Sequence, residues 1–445
     1  MKKILIILGL ILSMISNVAE AKDLKKMINE NITNSHINKG AISISIKEIN
    51  TGKTVYELNP KTPISPASIQ KIVTLTPAFM LLGEDYRFTT KLCKNSSEDY
   101  LVVLGADPYL SSKELGKIVK FMPKEPNSVC IDDSIVDDKE WGEGWQWDDD
   151  LNPLMPKFGA YNIDKNLMEL VISPTKIGVP ATIKMSVSYP TTIVNQVITG
   201  KTTDYKLTRE NHISPDVIVA KGVISSTKSE IFNIPVNSPK KYFKLRLSEE
   251  IINHSVSCSG IFPDRKFDKT YTCLTHLSHG IQRAQEDVYK HSNNLVSETV
   301  FKIAGGKYAK ETGSFENGLD MFYDYCKKNH LDTSCIKLTD ASGVSKNNLM
   351  ISDFMTEFLL KHQCYLEKRL PTAGEGTLSK RFLYLKDNVY AKTGTLNNIS
   401  SIAGYINTKS NNKYVFCIMI NDPKSTSSDK KVLEEYILRT IYTKG

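Results

Sequence analysis

The sequence has none of the close ligand pairs that zinc sites use. Its eight cysteines and eight histidines form no Cys-x-x-Cys and no His-x-x-x-His spacing, and such pairs are the usual signature of a bound zinc ion. His276 and His279 are therefore interpreted as surface histidines. No cysteine and histidine form a recognisable catalytic pair, so the sequence predicts neither a metal ion nor a cysteine nucleophile.

Long apolar runs are equally scarce. The longest, Ile4–Ile15, has about 12 residues, whereas a membrane-spanning helix needs about 20. It follows Lys2 and Lys3 and precedes Ala19-Glu20-Ala21, a small-residue site typical of signal-peptide cleavage. Residues 1–21 are therefore predicted to be a signal peptide that is cleaved on export, with an uncleaved anchor as the alternative.

The net charge is positive. It is +8 for the whole chain and +7 without residues 1–21, which contain two lysines and one glutamate. A positive charge of this size suits an anionic polymer or a membrane surface, and a solvated basic exterior is the simpler explanation.

The cysteines permit disulfides in an exported chain. Eight cysteines allow 105 complete pairings, and their spacing selects none of them. Cys417 lies in the apolar segment Val415–Ile420 and is predicted to be a buried thiol. Disulfide pairing is therefore left open.

Both ends of the chain predict strands of one antiparallel sheet. Period-two alternation and turn residues mark two strands near the N terminus and three near the C terminus, followed by a helix at Lys430–Tyr442. These strands are Ala41–Lys47, Thr54–Leu58, Val389–Thr395, Ile399–Asn407 and Lys413–Ile420. A chain of 445 residues exceeds the size of one hydrophobic core, so the residues between the two ends are expected to form an insertion.

The middle of the chain has a different texture. Short β-like runs alternate with Pro, Gly, Asn and Asp, interrupted by one predicted helix at Ser112–Phe121. We predict a mostly β insertion of one or two subdomains at residues 93–275, within a domain made of residues 22–92 and 276–445. Helices are predicted after the insertion at Gly280–Lys290, Leu295–Ala304, Gly318–Lys328 and Ile351–Lys361, with Gly305-Gly306 ending the second.

The segment Ser65-Pro66-Ala67-Ser68-Ile69-Gln70-Lys71 predicts the start of a helix with a nucleophile in its first turn. Ser65 is a good N-cap, and Pro66 fits the first helical position. Ser68 and Lys71 then lie on one face, close enough for the amine to take a proton from the hydroxyl. The N–H of Ser68 could serve as an oxyanion donor unless Ser65 caps it. The same Ser-x-x-Lys spacing occurs elsewhere in the chain, so the motif alone favours a solvated pair.

Two further motifs lie downstream. Ser292 and Asn294 fall between two predicted helices, where side chains can point into a cleft. Lys392-Thr393-Gly394 occurs once, on a predicted strand whose alternation places Lys392 and Gly394 on one face. There a bare Cα would let a substrate backbone lie close, and the ammonium could bind a carboxylate. Taken separately, a polar turn and an ordinary surface strand explain these residues as well.

All three tryptophans lie within Trp141–Trp147, directly before Asp148-Asp149-Asp150. The simpler explanation is a packing cluster followed by a solvated acidic turn. The functional alternative is a carboxylate, by preference that of Asp149, which reaches a cationic group of a substrate.

The three motifs, in this order, resemble the signature of penicillin-interacting serine enzymes. The chain as a whole resembles the low-molecular-mass class C penicillin-binding proteins, which are D-alanyl-D-alanine carboxypeptidases and endopeptidases. The other segments that match are Gly105-Ala-Asp-Pro108, Asp132-Asp-Ser134, Trp145-Gln-Trp147-Asp-Asp, Asp340-Ala-Ser-Gly343, Leu370-Pro371, Gly376-Thr-Leu378 with Arg381, and Ala391-Lys-Thr-Gly-Thr395. Ala341 departs from the usual glycine, and the loop Gly374-Glu375-Gly376 is one residue short.

The resemblance implies an α+β fold of the transpeptidase and β-lactamase type, with a five-stranded antiparallel sheet flanked by helices. It implies that Ser68 attacks the bond between two D-alanines with Lys71 as the base, and that Ser292 relays a proton toward the leaving amine, together with Lys392. The implied substrate-binding residues are Asn294 for an amide, Lys392 and Thr393 for the terminal carboxylate, Gly394 and Thr395 along the strand and at the oxyanion hole, and Asp149 and Arg381 for a diaminopimelate side chain.

The implied partners are peptidoglycan stem peptides that end in D-Ala-D-Ala or carry D-Ala cross-links, with β-lactams as inhibitors. The implied location is the periplasm, and no metal, organic cofactor or nucleic acid is implied. Two alternatives stay open: a serine β-lactamase, which shares the motifs but lacks so long an insertion, and a non-catalytic cell-wall-binding protein. Also left open are weak membrane association, transpeptidation, the oligomeric state, and the balance between carboxypeptidase and endopeptidase activity.

Overall fold

The computed structural model describes residues 23–210, 214–262 and 265–445. The predicted signal peptide, residues 1–21, lies outside the described residues. No helix in these ranges combines the length and the apolar character that crossing a membrane requires. The chain divides into two compact units. Of the described residues, the first unit comprises those up to Pro77 with Gln285–Ser292 and Phe322–Gly445, and the second comprises those of Ala78–Ala284 and Asn293–Met321.

Helices and strands follow one another along both units. The strands are β1 (Ile42–Glu48), β2 (Thr54–Leu58), β3 (Arg87–Lys94), β4 (Asp99–Val103), β5 (Ser128–Asp132), β6 (Leu167–Ser173), β7 (Thr182–Met185), β8 (Thr192–Gly200), β9 (Asp204–Arg209), β10 (Val217–Ser225), β11 (Glu230–Pro235), β12 (Ile261–Phe262), β13 (Thr272–Gly280), β14 (Val389–Leu396), β15 (Ile399–Asn407) and β16 (Lys413–Asn421). The α-helices are α1 (23–34), α2 (Lys71–Leu82), α3 (Ser112–Val119), α4 (Pro239–Asn253), α5 (Ile281–Tyr289), α6 (Asn294–Ala309), α7 (Phe315–Lys328), α8 (Ser352–Lys361), α9 (Gln363–Leu366) and α10 (Ser427–Lys444).

The first unit is built on a five-stranded antiparallel sheet in the order β14-β15-β16-β1-β2. The two chain ends meet as predicted, with Ile44 of β1 opposite Ile418 of β16. Side chains of β1 alternate between two covered faces. Ile44 joins an apolar core with Leu433 of α10, and Ser45 hydrogen-bonds to Thr356 of α8 at 2.9 Å. Helices therefore flank both faces, and the predicted α+β fold is confirmed.

In its described residues, the second unit contains two three-stranded sheets, in the orders β8-β10-β9 and β11-β6-β7, and one five-stranded sheet in the order β12-β5-β4-β3-β13. A disulfide between Cys93 and Cys273 joins β3 and β13, where the two residues face each other. Cys417, in the first unit, is a fully buried thiol as predicted. The predicted insertion at residues 93–275 lies within the second unit, and its boundaries stay a prediction.

Helix α6 runs through Gly305-Gly306 to Ala309, so the prediction that these glycines end the helix is wrong. A Cβ atom at Gly305 would lie 2.4 Å from the backbone nitrogen of Gly318, and one at Gly306 would lie 2.7 Å from the Cα of Gly313. The neighbouring backbone packs directly on the helix, and only residues without a side chain leave room for it.

Candidate active site

Ser68 lies in the turn Pro66–Gln70, the nucleophile turn, which leads into α2. Residues Ala67–Gln70 form a 3-10 helix whose N-cap is Pro66, with no side chain capping it. The Ser65 hydroxyl is buried and has no hydrogen-bond partner in the described residues. The prediction that Ser65 caps a helix beginning at Pro66 is therefore wrong. Ala67 has a φ of 50°, so the backbone directly before Ser68 is strained.

Ser68 and Lys71 form a close pair. The Nζ atom of Lys71 lies 2.9 Å from the Oγ atom of Ser68 and donates a second hydrogen bond to the carbonyl oxygen of Ser342 at 2.7 Å. Lys71 is fully buried, whereas Ser68 is only partly buried. A hydroxyl that a substrate can reach thus stands beside an amine that water cannot reach, which is the arrangement of a nucleophile and its base.

Ser342 belongs to a loop, Asp340–Gly343, for which the sequence predicted no role at the site. Gly343 has a φ of 78°, and a Cβ atom there would lie 2.1 Å from the carbonyl oxygen of Ala67. The Nε2 atom of Gln70 donates to the carbonyl of Asp340 at 2.6 Å. The loop therefore packs on the nucleophile turn, and its Ser342 carbonyl positions Lys71, the first residue of α2. The Asp-Ala-Ser-Gly motif is the sequence signal that marks this loop.

Ser292 and Lys392 form a second pair. Ser292 follows α5 with a φ of 59°, and the Nζ atom of Lys392 on β14 donates to its Oγ atom at 2.8 Å. The same ammonium donates to the carbonyl of Thr393 at 2.7 Å. Burial, and secondly the charge of Lys71, lower the pKa of Lys392 well below its ordinary value of 10.5. The two lysines therefore act on each other within one site.

Gly394 lets β14 lie against the nucleophile turn. A Cβ atom at Gly394 would lie 2.8 Å from the backbone nitrogen of Ser68 and 2.4 Å from the Oγ atom of Ser401. The packing of the fold itself therefore requires a residue without a side chain at Gly394. The sequence predicted a different reason, namely space for the backbone of a substrate. On the same strand, Thr393 is partly buried and Thr395 is exposed.

Arg381 lies on the other face of the sheet. Its guanidinium forms an ion pair with the buried Glu434 of α10 at 3.0 Å, and Glu434 accepts a hydrogen bond from Ser400 of β15. The next residue, Ser401, points to the opposite face and donates to the carbonyl of Pro66 at 2.6 Å. The structure therefore does not bring Arg381 to the serines.

Asn294 and Asp149 belong to the second unit. Asn294 is the first residue of α6, and its Nδ2 atom donates to the carbonyl of Leu154 at 2.8 Å. Asp149 closes the 3-10 turn Trp147–Asp149. Of the nearby tryptophans, Trp145 is buried in the predicted packing cluster, whereas Trp147 is 75% exposed.

Comparisons of the sequence give one family and several relatives. A profile of the D-Ala-D-Ala carboxypeptidase 3 (S13) family matches residues 24–439. D-alanyl-D-alanine carboxypeptidase DacB of Haemophilus influenzae is 23% identical in an alignment of 407 positions that covers 84% of this chain and 84% of the relative. D-alanyl-D-alanine carboxypeptidase of Actinomadura sp. is 22% identical in an alignment of 410 positions that covers 83% of this chain and 76% of the relative.

Comparison with solved structures agrees with this result. The crystal structure of penicillin binding protein 4 (dacB) from Haemophilus influenzae superposes with a TM-score of 0.81 at 21% identity, covering 95% of this chain and 98% of that chain. The same protein complexed with a novel β-lactam superposes with a TM-score of 0.77, covering 90% and 96%. These likenesses show that the folds are the same.

Proposed function

Because the chain belongs to the D-Ala-D-Ala carboxypeptidase 3 (S13) family and is thereby a serine-type D-alanyl-D-alanine carboxypeptidase, we propose that it forms an acyl-enzyme on Ser68. The substrates are peptidoglycan stem peptides that end in D-Ala-D-Ala. The observation that carries the proposal is the contact between Ser68 and the buried Lys71, beside a second buried lysine, Lys392. A solvated surface pair would not bury two amines in one site.

In the proposed acylation, Lys71 removes the proton of Ser68 while Oγ attacks the carbonyl carbon. The amine must be neutral for this step, because only a neutral amine can accept the proton. The backbone N–H groups of Ser68 and Thr395 then bind the developing oxyanion. A donor of this kind contributes about 3 kcal/mol in comparable sites.

The leaving D-alanine receives its proton through Ser292, which accepts a hydrogen bond from Lys392. Lys392 and Thr393 bind the terminal carboxylate of the substrate, and Asn294 holds an amide of the stem. A bound carboxylate favours the protonated form of Lys392 and thereby offsets part of the effect of burial. Water finally hydrolyses the ester on Ser68 and restores the hydroxyl.

Further features of the proposal concern inhibitors, side-chain recognition and location. β-Lactams acylate Ser68 because their strained amide resembles the D-Ala-D-Ala bond, and the Haemophilus influenzae relative has been solved with a β-lactam. Asp149 binds the ammonium of a diaminopimelate side chain. Arg381 is left out, because Glu434 already holds its guanidinium. The reaction takes place in the periplasm, in keeping with the predicted signal peptide.

The test incubates the purified chain with pentapeptide muropeptides and with cross-linked dimers, and resolves the products by mass spectrometry. The matched variants are Ser68→Ala and Ser65→Ala, since the two serines share one segment and the Ser65 hydroxyl lacks a hydrogen-bond partner in the described residues. We expect free D-alanine from the parent and from Ser65→Ala, and none from Ser68→Ala. Equal release by Ser68→Ala would refute the proposal.

The same assay separates the alternatives. Cleavage of dimers adds endopeptidase activity to the carboxypeptidase. Rapid turnover of penicillin without release of D-alanine would identify a β-lactamase instead. Binding of muropeptides without any cleavage would identify a non-catalytic cell-wall-binding protein, although both Ser68 and Lys71 are present.

A further inference from the structure

The second unit contains a polar cleft of about 370 Å³ at one edge of its five-stranded sheet. The parallel strands β4 and β5 end at this edge, at Val103 and Asp132, and the antiparallel strand β3 begins there at Arg87. Two of the segments noted in the sequence, Gly105–Pro108 and Asp132–Ser134, leave the sheet at this edge. The proposed chemistry uses neither of them.

One face of β3 lines the cleft. Successive side chains of a strand point to opposite faces, and on β3 one face is completely buried by Phe88, Thr90 and Leu92. The opposite face carries Arg87, Thr89 and Lys91, which line the cleft. Arg87 and Lys91 are exposed. Further along this face, Tyr271 packs on the buried Cys93 and Leu101 and covers that part of the strand. The part of the face that is accessible to a ligand is therefore the polar part, Arg87–Lys91.

The two cations of the cleft are available to a ligand. Arg87 donates from Nε and Nη2 to the hydroxyl and carbonyl of Ser278, at 2.9 and 3.0 Å. These bonds fix the guanidinium and leave Nη1 without a recorded partner in the described part of the chain. Lys91 has no ion pair there, whereas Lys94 on the same strand is bound to Glu98 at 2.6 Å.

The acid of the cleft is already occupied. The carboxylate of Asp132 accepts hydrogen bonds from the backbone N–H groups of Ser134 and Phe267, at 3.0 and 2.7 Å. It forms no salt bridge with Arg87 or Lys91 in the described residues, and two cations against one carboxylate leave the lining of the cleft positive. Ser134 and Thr89 add hydroxyl groups to the lining, which also includes the apolar side chains of Val103, Leu104 and Ile135.

We propose that this cleft binds stretches of the cell-wall glycan whose muramyl carboxylates are free because the stem peptides have been removed, a proposal that rests on the proposed function for the choice of polymer. Two cations several residues apart on one strand suit a repeating anion better than a single small one. Side-chain hydroxyls suit the hydroxyl and amide groups of sugars. The cleft is a polymer site in the second unit, whereas the proposed nucleophile lies in the first.

The test measures binding of the full chain to glycan strands from which an amidase has removed the stem peptides. Such strands carry free lactyl carboxylates and no D-alanine, so they cannot report the reaction at Ser68. The variants are Lys91→Gln, which breaks no recorded contact in the described residues, and Arg87→Gln with Lys91→Gln together. Lys117→Gln is the matched control, because Lys117 is a 63% exposed cation on α3 of the same unit.

We expect the double variant to bind the glycan at least about tenfold more weakly and Lys91→Gln about threefold more weakly, with Lys117→Gln unchanged. Release of D-alanine from a soluble pentapeptide should stay at the parent rate in all three variants. A failure of the proposed function would appear in this release assay, whereas a failure of the present proposal would appear in the glycan-binding assay. Undiminished glycan binding by the double variant would overturn the proposal. Equal loss in Lys117→Gln, or tighter binding to a single-stranded oligonucleotide or to anionic lipid vesicles, would overturn it as well.

Discussion

The two units treat a buried lysine differently. In the second unit, Lys302 is 2% exposed, and its ammonium forms an ion pair with Asp137 and donates to two backbone carbonyl groups. In the first unit, Lys392 is fully buried, and its recorded hydrogen bonds go to the hydroxyl of Ser292 and the carbonyl of Thr393. Within the described residues, no carboxylate pairs with Lys392.

This difference distinguishes Lys302, a buried lysine with a structural role, from Lys392, a buried lysine with a proposed chemical role. Burial of an amine without a carboxylate destabilises the folded state unless the amine loses its proton. The first unit does pair other lysines, since Lys47 lies 2.7 Å from Asp353. A missing carboxylate is therefore not general among the lysines of this unit, and at Lys392 it coincides with the place where a substrate carboxylate is proposed to bind.

The largest expected effect is that of Lys392→Met. Loss of proton relay and carboxylate binding should lower D-alanine release from a pentapeptide by about 10³-fold. Removal of an amine that is costly to bury should raise the free energy of unfolding by about 1–3 kcal/mol. Urea unfolding and the release assay measure the two quantities. An active or a less stable variant would contradict the distinction between the two lysines.

Lys302→Met should have the opposite signature. The variant leaves Asp137 without its cation, and the free energy of unfolding should fall by about 3 kcal/mol. The rate of D-alanine release per folded molecule should stay within about twofold of the parent rate, because catalysis is assigned to the first unit. The same two assays apply, and a large loss of rate with unchanged stability would assign chemistry to Lys302.

Gly394→Ala tests the close approach at the nucleophile turn. The added methyl group would lie 2.8 Å from the backbone nitrogen of Ser68, and overpacking of this kind costs about 1–3 kcal/mol. Acylation by penicillin should slow along with the loss of stability. Gly159→Ala in the second unit is the control, because a Cβ atom there meets no other atom within 4 Å. Equal behaviour of the two variants would mean that β14 does not press on the turn.

The smallest expected effect is the dependence of stability on pH. The pKa of Lys392 is lowered in the folded state, so between that lowered pKa and 10.5 the unfolded chain binds a proton that the folded chain does not. The parent should therefore gain stability relative to Lys392→Met as pH rises through this window, by at most about 1.4 kcal/mol per pH unit. Parallel urea unfolding curves at pH 7, 8 and 9 measure the slope, and equal slopes would show that Lys392 titrates normally.

The sheet and the paired motifs could be predicted because each depends on local pattern. Alternation in 41–47 and in 413–420 marks strands that lie next to each other as β1 and β16. A spacing of three residues placed the amine of Lys71 near Ser68. Both inferences need only the geometry of one strand or one turn.

Other features depend on contacts that sequence spacing does not encode. Ser65 looks like an N-cap, but the positive φ of Ala67 replaces the expected helical start with a 3-10 turn. Gly305 looks like a helix end, but its bare Cα is needed where Gly318 packs against the helix. Arg381 follows a matching segment in sequence, yet the sheet separates it from the serines.

The most direct test of the account is to find where a β-lactam becomes attached. The purified chain is incubated with penicillin, its mass is measured, and the labelled peptide is identified after digestion. We predict one adduct with the mass of the drug, on the peptide that contains Ser68, and no adduct on Ser68→Ala. An adduct on any other peptide, or none on the folded parent chain, would contradict the assignment of Ser68 as the nucleophile.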